Sequence, residues 1–363
     1  MDSIYYNLTV IIAFIASVAI AAFIIPALKL IAPKTGLLDI PNARKVHQHP
    51  IPVVGGLGIG ITLIISILVS PYFIEIINKY YIIVFAALLL MLVGILDDKL
   101  NLRASHRLII QVVCAYAIAT SGIRLTSMYG IFGIGQLNIC ASYTFSLFLI
   151  VGVVNAFNLI DGIDGLAGFL ALVALTIFSY LAYIIGDSSL VILLVSLVGS
   201  VIIFLIHNLG KKKIFLGDGG SLLLGFILVS SGIRLIEYAN SNLIIEVNNT
   251  ISIVFGVFLI PVLDSIRVYW SRMQEGFSPL RADKRHIHHI FLFFKLSHKN
   301  ASAAIAVSSV VLTCLLILLH QTYGLSSAIV LVSVLFILIT STLSAIKKLG
   351  DWRKKIGELE NRD

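Results

Sequence analysis

Eleven apolar runs constrain this chain more than any motif, because about 20 consecutive apolar residues are what a helix needs to cross roughly 30 Å of hydrocarbon. They lie near Leu8 to Ile31, Val53 to Ser70, Tyr80 to Leu96, Leu108 to Ser121, Tyr143 to Leu159, Ala167 to Ile185, Leu190 to His207, Ser221 to Ile236, Thr250 to Tyr269, Ala301 to His320 and Leu325 to Ile346. Every backbone polar group inside a bilayer must be satisfied within the protein, so each run is expected to be helical. Eleven spans use about 220 of the 363 residues and leave only short connections. The expected fold is all-α: a polytopic membrane bundle of about 11 helices, with one domain over residues 1–346 and a basic tail over 347–363.

Composition removes the main alternatives. Hydrophobic residues make up 59% of the chain and charged residues 12%, against roughly 45–50% and 25% in a soluble domain. A soluble enzyme is excluded. The net charge of +8 would suit a nucleic-acid partner only on a basic aqueous domain, which the runs leave no room for, so none is expected. Cys114, Cys140 and Cys314 lie in or beside apolar runs without CxxC spacing, which argues against disulfides and a zinc knuckle.

Asp2 precedes the first run and Lys29 and Lys34 follow it, the reverse of a signal peptide's basic start, so this run is expected to stay as a span with the N-terminus outside. Alternating the spans leaves only Lys79, Arg124 and Arg234 of the 26 basic residues outside, and puts the C-terminus in the cytoplasm, as the positive-inside rule requires. The same arrangement gathers five polar loops on the cytoplasmic face: PNARKVHQHPIPVVGG (41–56), GILDDKLNLRASHR (94–107), NAFNLIDGIDGLAG (155–168), KKKIFLGDGGS (211–221) and SPLRADKRHIHH (278–289). Their acids stand at helix ends, where a water-soluble reactant and a lipid headgroup can meet.

Each loop has a bland and a chemical reading. Asp97 and Asp98 could simply end one helix and cap the next. Paired carboxylates repel, however, and two of the chain's 18 acids side by side at a membrane boundary ask for a cation such as Mg²⁺. Asn155, Asn158, Asp161 and Asp164 recur every third residue; such a row can glue helices together, or its amides and acids can bind metal, sugar and base. GDGGS, from Gly217 to Ser221, places Asp218 among glycines at a helix start, an ordinary cap that can also hold an anion directly or through a metal. Phe215 is either interfacial packing or a stacking platform. His286, His288 and His289 sit with Arg281, Lys284 and Arg285, and without an acid or cysteine at zinc spacing they read as a cationic phosphate clamp. Lys211 to Lys213 and the basic tail read as orientation signals and headgroup contacts. GGLGIG misses the dinucleotide pattern, and Gly56 and Gly60 suit a close-packing small-xxx-small face.

Together, GILDDKLNLRASHRLIIQ, NAFNLIDGIDGLAG, FLGDGGSLLLGF, SPLRADKRHIHH and PNARKVHQHPIPVVGG resemble, in order and spacing from about Leu30 to Phe291, the polyprenyl-phosphate N-acetylhexosamine-1-phosphate transferases. HIHH favours the bacterial branch that moves GlcNAc-1-phosphate from UDP-GlcNAc to undecaprenyl phosphate and starts a cell-envelope polysaccharide, with the same reaction on another UDP-N-acetylhexosamine as the alternative. The resemblance implies a cytoplasmic-membrane enzyme with its active site facing the cytoplasm and Mg²⁺ as cofactor, with Mn²⁺ as an alternative. It implies Asp97 and Asp98 near the lipid phosphate, Asn158 and Asp218 on the metal and Arg107 as a phosphate anchor. Phe215 would stack on uracil, Asp164 recognise the nucleotide sugar, and His286, His288 and His289 lie near sugar and pyrophosphate. Asp161 would be a family acid of unassigned part, Asn155 a substrate contact, and Lys34 and Arg44 weaker phosphate contacts. Related enzymes tend to dimerise, so a homodimer is a further expectation. The acceptor phosphate would attack the β-phosphorus and expel UMP. A phosphate monoester's second pKa is about 6, so Asp97 is expected to orient more than deprotonate.

Two rivals are weaker. A secondary transporter should show inverted repeats and a midplane site, but the halves show no repeat and the charges are terminal. A CDP-alcohol phosphotransferase should carry paired DG-x2-AR and later acids that DGIDGLAG does not match.

Overall fold

The computed structural model describes residues 2–41, 49–241, 244–277 and 285–360, with side chains from Tyr5 to Arg353 within those ranges. Twelve helices are present among them: α1 Asp2–Thr35, α2 Gly55–Leu68, α3 Phe73–Leu100, α4 Ala104–Thr120, α5 Ile139–Ile160, α6 Leu166–Ile184, α7 Ser188–Asn208, α8 Gly217–Ser241, α9 Val247–Gln274, α10 Ile287–Phe293, α11 His298–Tyr323 and α12 Leu325–Glu360. Nine of these are long and apolar enough to cross a membrane. The second and fourth expected spans are the shorter α2 and α4, of 14 and 17 residues. At 1.5 Å per residue they reach about 21 and 26 Å, less than the hydrocarbon thickness. The chain is thus a multi-pass helical membrane protein, with nine helices long enough to span and two shorter apolar helices at the second and fourth of the eleven expected spans, the fourth being short already as an apolar run.

Two features depart from a purely helical reading. Leu38–Asp39 (β1) pairs antiparallel with Ile51–Pro52 (β2), and Val53 bridges to Phe215, so the first loop is stitched to the stretch before α8. The helix α10 lies in the long connection after α9, and α12 runs on through Glu360 into the basic tail.

At the centre is α8, with 94% of its apolar window buried against 17% for α12. Its N-terminal turn meets α3 and α2 at backbone distance. A Cβ on Gly94 of α3 would overlap the backbone of Asp218 and Gly219, and one on Gly56 of α2 would overlap Gly219 and Gly220. Lipid gives helices little hydrophobic reason to associate, so small residues that admit close backbone contact do the joining. The expected small face on α2 therefore exists, with Gly56 against α8 and Gly60 against the Met91 side chain.

The far ends of these helices are tied by polar side chains. The Tyr80 hydroxyl donates to Asp187 Oδ2 at 2.5 Å, joining α3 to the start of α7. Glu237 of α8 accepts from the Thr126 N–H and hydroxyl, both at 2.8 Å, and from the Tyr129 hydroxyl. Replacing Gly94 by Val should lower the melting temperature of the detergent-solubilised protein, since overpacking costs about 1–3 kcal/mol. Gly135→Ala, where an added Cβ meets nothing within 4 Å, should leave it unchanged.

Candidate active site

Loops 94–107, 155–168 and 211–221, together with residues 285–298, meet at one end of the bundle. The turn from α3 to α4 supplies Asp97, Asp98 and Arg107. Asn101 adopts the left-handed conformation (φ 51°) and returns its N–H to the Asp97 carbonyl at 2.8 Å, which stops α3 and lets α4 start three residues on. Arg107, in the first turn of α4, donates through Nη1 to Asp97 Oδ2 at 2.5 Å and to Asp218 Oδ2. The Asp218 N–H donates to Asp98 Oδ1 at 3.2 Å, so a carboxylate faces the positive end of α8. This is possible because Gly217, at φ 73°, has no side chain; a Cβ there would run into the Asp98 carboxylate.

Asn158, in the last turn of α5, donates its amide nitrogen to Ser221 Oγ at 2.8 Å, so any metal contact falls to its Oδ1. Asp161 ends the same helix. Burial, then the charges of Asp218, Asp98 and Asp164, push its pKa up to about 8. Near pH 7 Asp161 is therefore largely protonated, while Asp97 and Asp218 share one guanidinium.

A second group forms around Asp164. Its carboxylate accepts from Lys213 and, at 3.0 Å, from His298 Nδ1, while Ser302 donates to its carbonyl at 2.8 Å. Burial opposes ionisation, but His298 and Lys213 outweigh it and hold the carboxyl below the ordinary carboxylate range. The neighbouring Gly165 N–H donates to Asn208 Oδ1 at 2.6 Å, and Asn208 donates to the Ile214 carbonyl at 2.7 Å. These bonds fasten the Asp161–Gly165 turn to the strand-like stretch carrying Phe215. Phe215 itself is half-buried, with its N–H on the Pro52 carbonyl at 2.8 Å and its carbonyl accepting from Gly55 at 2.9 Å.

His288 is buried and lies directly over Gly162, where a Cβ would overlap the imidazole. The His286 and His288 rings stack at 5.8 Å, and His289 lies 4.3 Å from His288. Burial, then the neighbouring imidazoles of His289 and His286, push the His288 pKa down to about 3. It is neutral near pH 7, without the positive charge expected of a cationic clamp, and its buried Nδ1 has no hydrogen-bond partner among the described residues.

Other expected residues stand apart. Asn155 directs its amide to Gln111 of α4 at 2.6 Å and to the Val151 carbonyl at 2.8 Å, an interhelical contact. Lys34 is exposed in the last turn of α1 and forms no hydrogen bond or ion pair with the cluster among the described residues. Arg44, Arg281 and Lys284 lie outside the described residues. The sequence reading passed over Gln111, His298 and Asp264, and it took Lys213 for an orientation signal where the side chain pairs with Asp164. Of these, Asp264 carried a signal: an acid inside an apolar run, with Arg267 three residues on.

The family described as glycosyl transferase family 4 matches residues 80–236, which carry Asp97, Asp98, Arg107, Asn158, Asp161, Asp164, Phe215 and Asp218. A Bacillus subtilis protein, a probable undecaprenyl-phosphate N-acetylglucosaminyl 1-phosphate transferase, is 31% identical over 340 residues, covering 93% of this chain and 92% of that protein. The chain belongs to glycosyl transferase family 4. Undecaprenyl-phosphate alpha-N-acetylglucosaminyl 1-phosphate transferases of Salmonella typhi and Escherichia coli K12 are 29% and 28% identical, over 78% and 83% of the chain and 76% and 82% of those proteins. This family 4 member is therefore a membrane phosphotransferase.

Neutral His288 has a pH signature in the transferase's stability. The unfolded chain takes up its proton near pH 6.5 and the folded chain does not until about pH 3. Stability is thus unaffected above 6.5 and falls as the pH drops, by about 1.4 kcal/mol at pH 5.5. Thermal melts at pH 7.5 and 5.5 should show a smaller acid loss for His288→Gln than for the wild type; equal losses would contradict the buried neutral imidazole.

Proposed function

We propose that this enzyme transfers GlcNAc-1-phosphate from UDP-GlcNAc to undecaprenyl phosphate, releasing UMP, on the cytoplasmic side of a bacterial inner membrane. One observation carries the reading: Arg107 joins Asp97 to Asp218, with Asp98 on the same helix start and Asn158 beside Ser221. Acceptor-side and donor-side groups are thereby brought together where a hydrocarbon interior gives way to polar loops. The relatives' names support the acceptor and the sugar. The positive-inside bias supports the orientation, and the further fate of the product is the start of an envelope polysaccharide.

The donor set suits Mg²⁺. It is made of oxygens, and its two carboxylates Asp97 and Asp218 share the one guanidinium of Arg107. Among the described residues no three His, Cys, Asp or Glu side chains form a ready-made cage. Mg²⁺ is commonly held by one or two carboxylates together with substrate phosphates. Asn158 and Asp218 would hold it, and when bound it neutralises charge on the diphosphate.

The chain's own groups do the rest. Asp97 and Asp98 orient the acceptor phosphate, which is already largely ionised. Its oxygen attacks the β-phosphorus as the bond to the UMP oxygen breaks, and the electron pair leaves with UMP. Arg107 trades its carboxylates for phosphate oxygens and meets the charge that develops there. His288 donates a hydrogen bond, while Asp164, Lys213 and Phe215 frame the nucleoside end. Such transfer depends on positioning and charge neutralisation more than covalent help.

Purified enzyme should release UMP from UDP-GlcNAc when undecaprenyl phosphate and Mg²⁺ are both present, and less from UDP-GalNAc. Asp97→Asn or Asp218→Asn should lower turnover at least about tenfold, and EDTA should abolish it. UMP release equal without acceptor, or near-normal turnover in both variants, would overturn this assignment.

A further inference from the structure

Among the described residues, one acid with no part in the reaction is wholly enclosed. Asp264 lies well inside α9 with no exposed surface, an expensive place for a carboxylate unless donors converge on it. They do. Arg267 Nη2 donates at 2.7 Å from one turn along α9, His286 Nδ1 at 2.8 Å, and the Ile287 N–H at 3.1 and 3.2 Å to the two oxygens. A carboxylate only accepts, so His286 carries its proton on Nδ1 and its tautomer is set.

Arg267 extends the tie in two directions. Its Nη2 also donates to the Arg285 carbonyl at 2.7 Å, and its Nη1 reaches Ser344 Oγ of α12 at 3.3 Å. Residues 285–287 are thereby held to α9 and α12 just before α10. No side chain of its own caps α10 at His286, and the Ile287 N–H is satisfied instead by Asp264 from another helix. One residue on, His288 stacks on His286 and rests over Gly162, next to Asp161. His286 is itself buried, with Nδ1 committed to Asp264.

We propose that Asp264 is a positioning residue for phosphoryl transfer: through His286 and the Ile287 N–H it locks the start of α10 so that His288 sits over Gly162 at the reaction centre. This rests on the transferase reading above and reassigns His286 from substrate contact to support. A side chain displaced by about 1 Å can lose on the order of a hundredfold in rate without losing substrate affinity, which is the signature to look for.

The test uses the full-length protein in detergent. Asp264→Asn keeps the shape and removes the charge; it should lower kcat by about thirtyfold while the donor KM changes less than about threefold. In a His288→Ala background the same substitution should lower kcat by less than about twofold, since the group it acts through is gone. His286→Asn, whose amide nitrogen can stand in for Nδ1, should turn over at least about tenfold faster than His286→Phe. Hydrogen exchange over residues 285–294 should quicken in Asp264→Asn, with residues 217–241 unchanged. Equal losses with and without His288, an unaltered kcat, or unaltered exchange would each overturn the proposal. Should the wild type release no UMP, the transferase reading fails, and exchange still decides the positioning. Should Asp264→Asn fail to fold, the His286 pair decides it.

Discussion

The site depends on three helices meeting at backbone distance. Gly94, Gly56 and the glycines flanking Asp218 leave no side chain between α3, α2 and the first turn of α8. Only then can Asp98 reach the Asp218 N–H and Arg107 span Asp97 and Asp218. In water such an approach could be driven by burying larger apolar groups. In lipid the contact itself must supply the attraction, and a methyl group at the wrong place would separate the carboxylates before it unfolded anything.

That closeness leaves the chain with charges it satisfies internally. Arg107 serves two carboxylates, and Asp164 is served by Lys213 and His298. An arriving diphosphate and its metal therefore exchange partners more than they fill bare positions. Two carboxylates on one guanidinium make a cation welcome, while a phosphate can take Arg107 from the acids it holds. Preorganised donors of this kind need little rearrangement as charge moves to the leaving group.

Much of this was legible in the sequence because hydrophobic length and polar clustering are local properties. The apolar runs gave the helices, and Asp97, Asp98, Asn158 and Asp218 stood out as acids and amides at run ends. What escaped depended on packing. The shortness of α2, the two-residue strands and the seven-residue α10 fall below any periodic signal. Lys213 was lost in a basic run that serves equally as an orientation signal, and Asp264 inside an apolar one. Asn155 belonged to the right row but faces Gln111. The charge expected on His288 failed on burial, which no spacing of histidines discloses.

The polar ties at the opposite end give the molecule a mechanical asymmetry. Tyr80 with Asp187 and Glu237 with Thr126 grip α3 and α8 far from the reacting groups, and glycine contacts grip them again near Asp218. These two helices form one jaw of a vice. The histidine segment, fastened to α9 and α12 instead, forms the other, so the acidic and imidazole sides of the site are held by different helices.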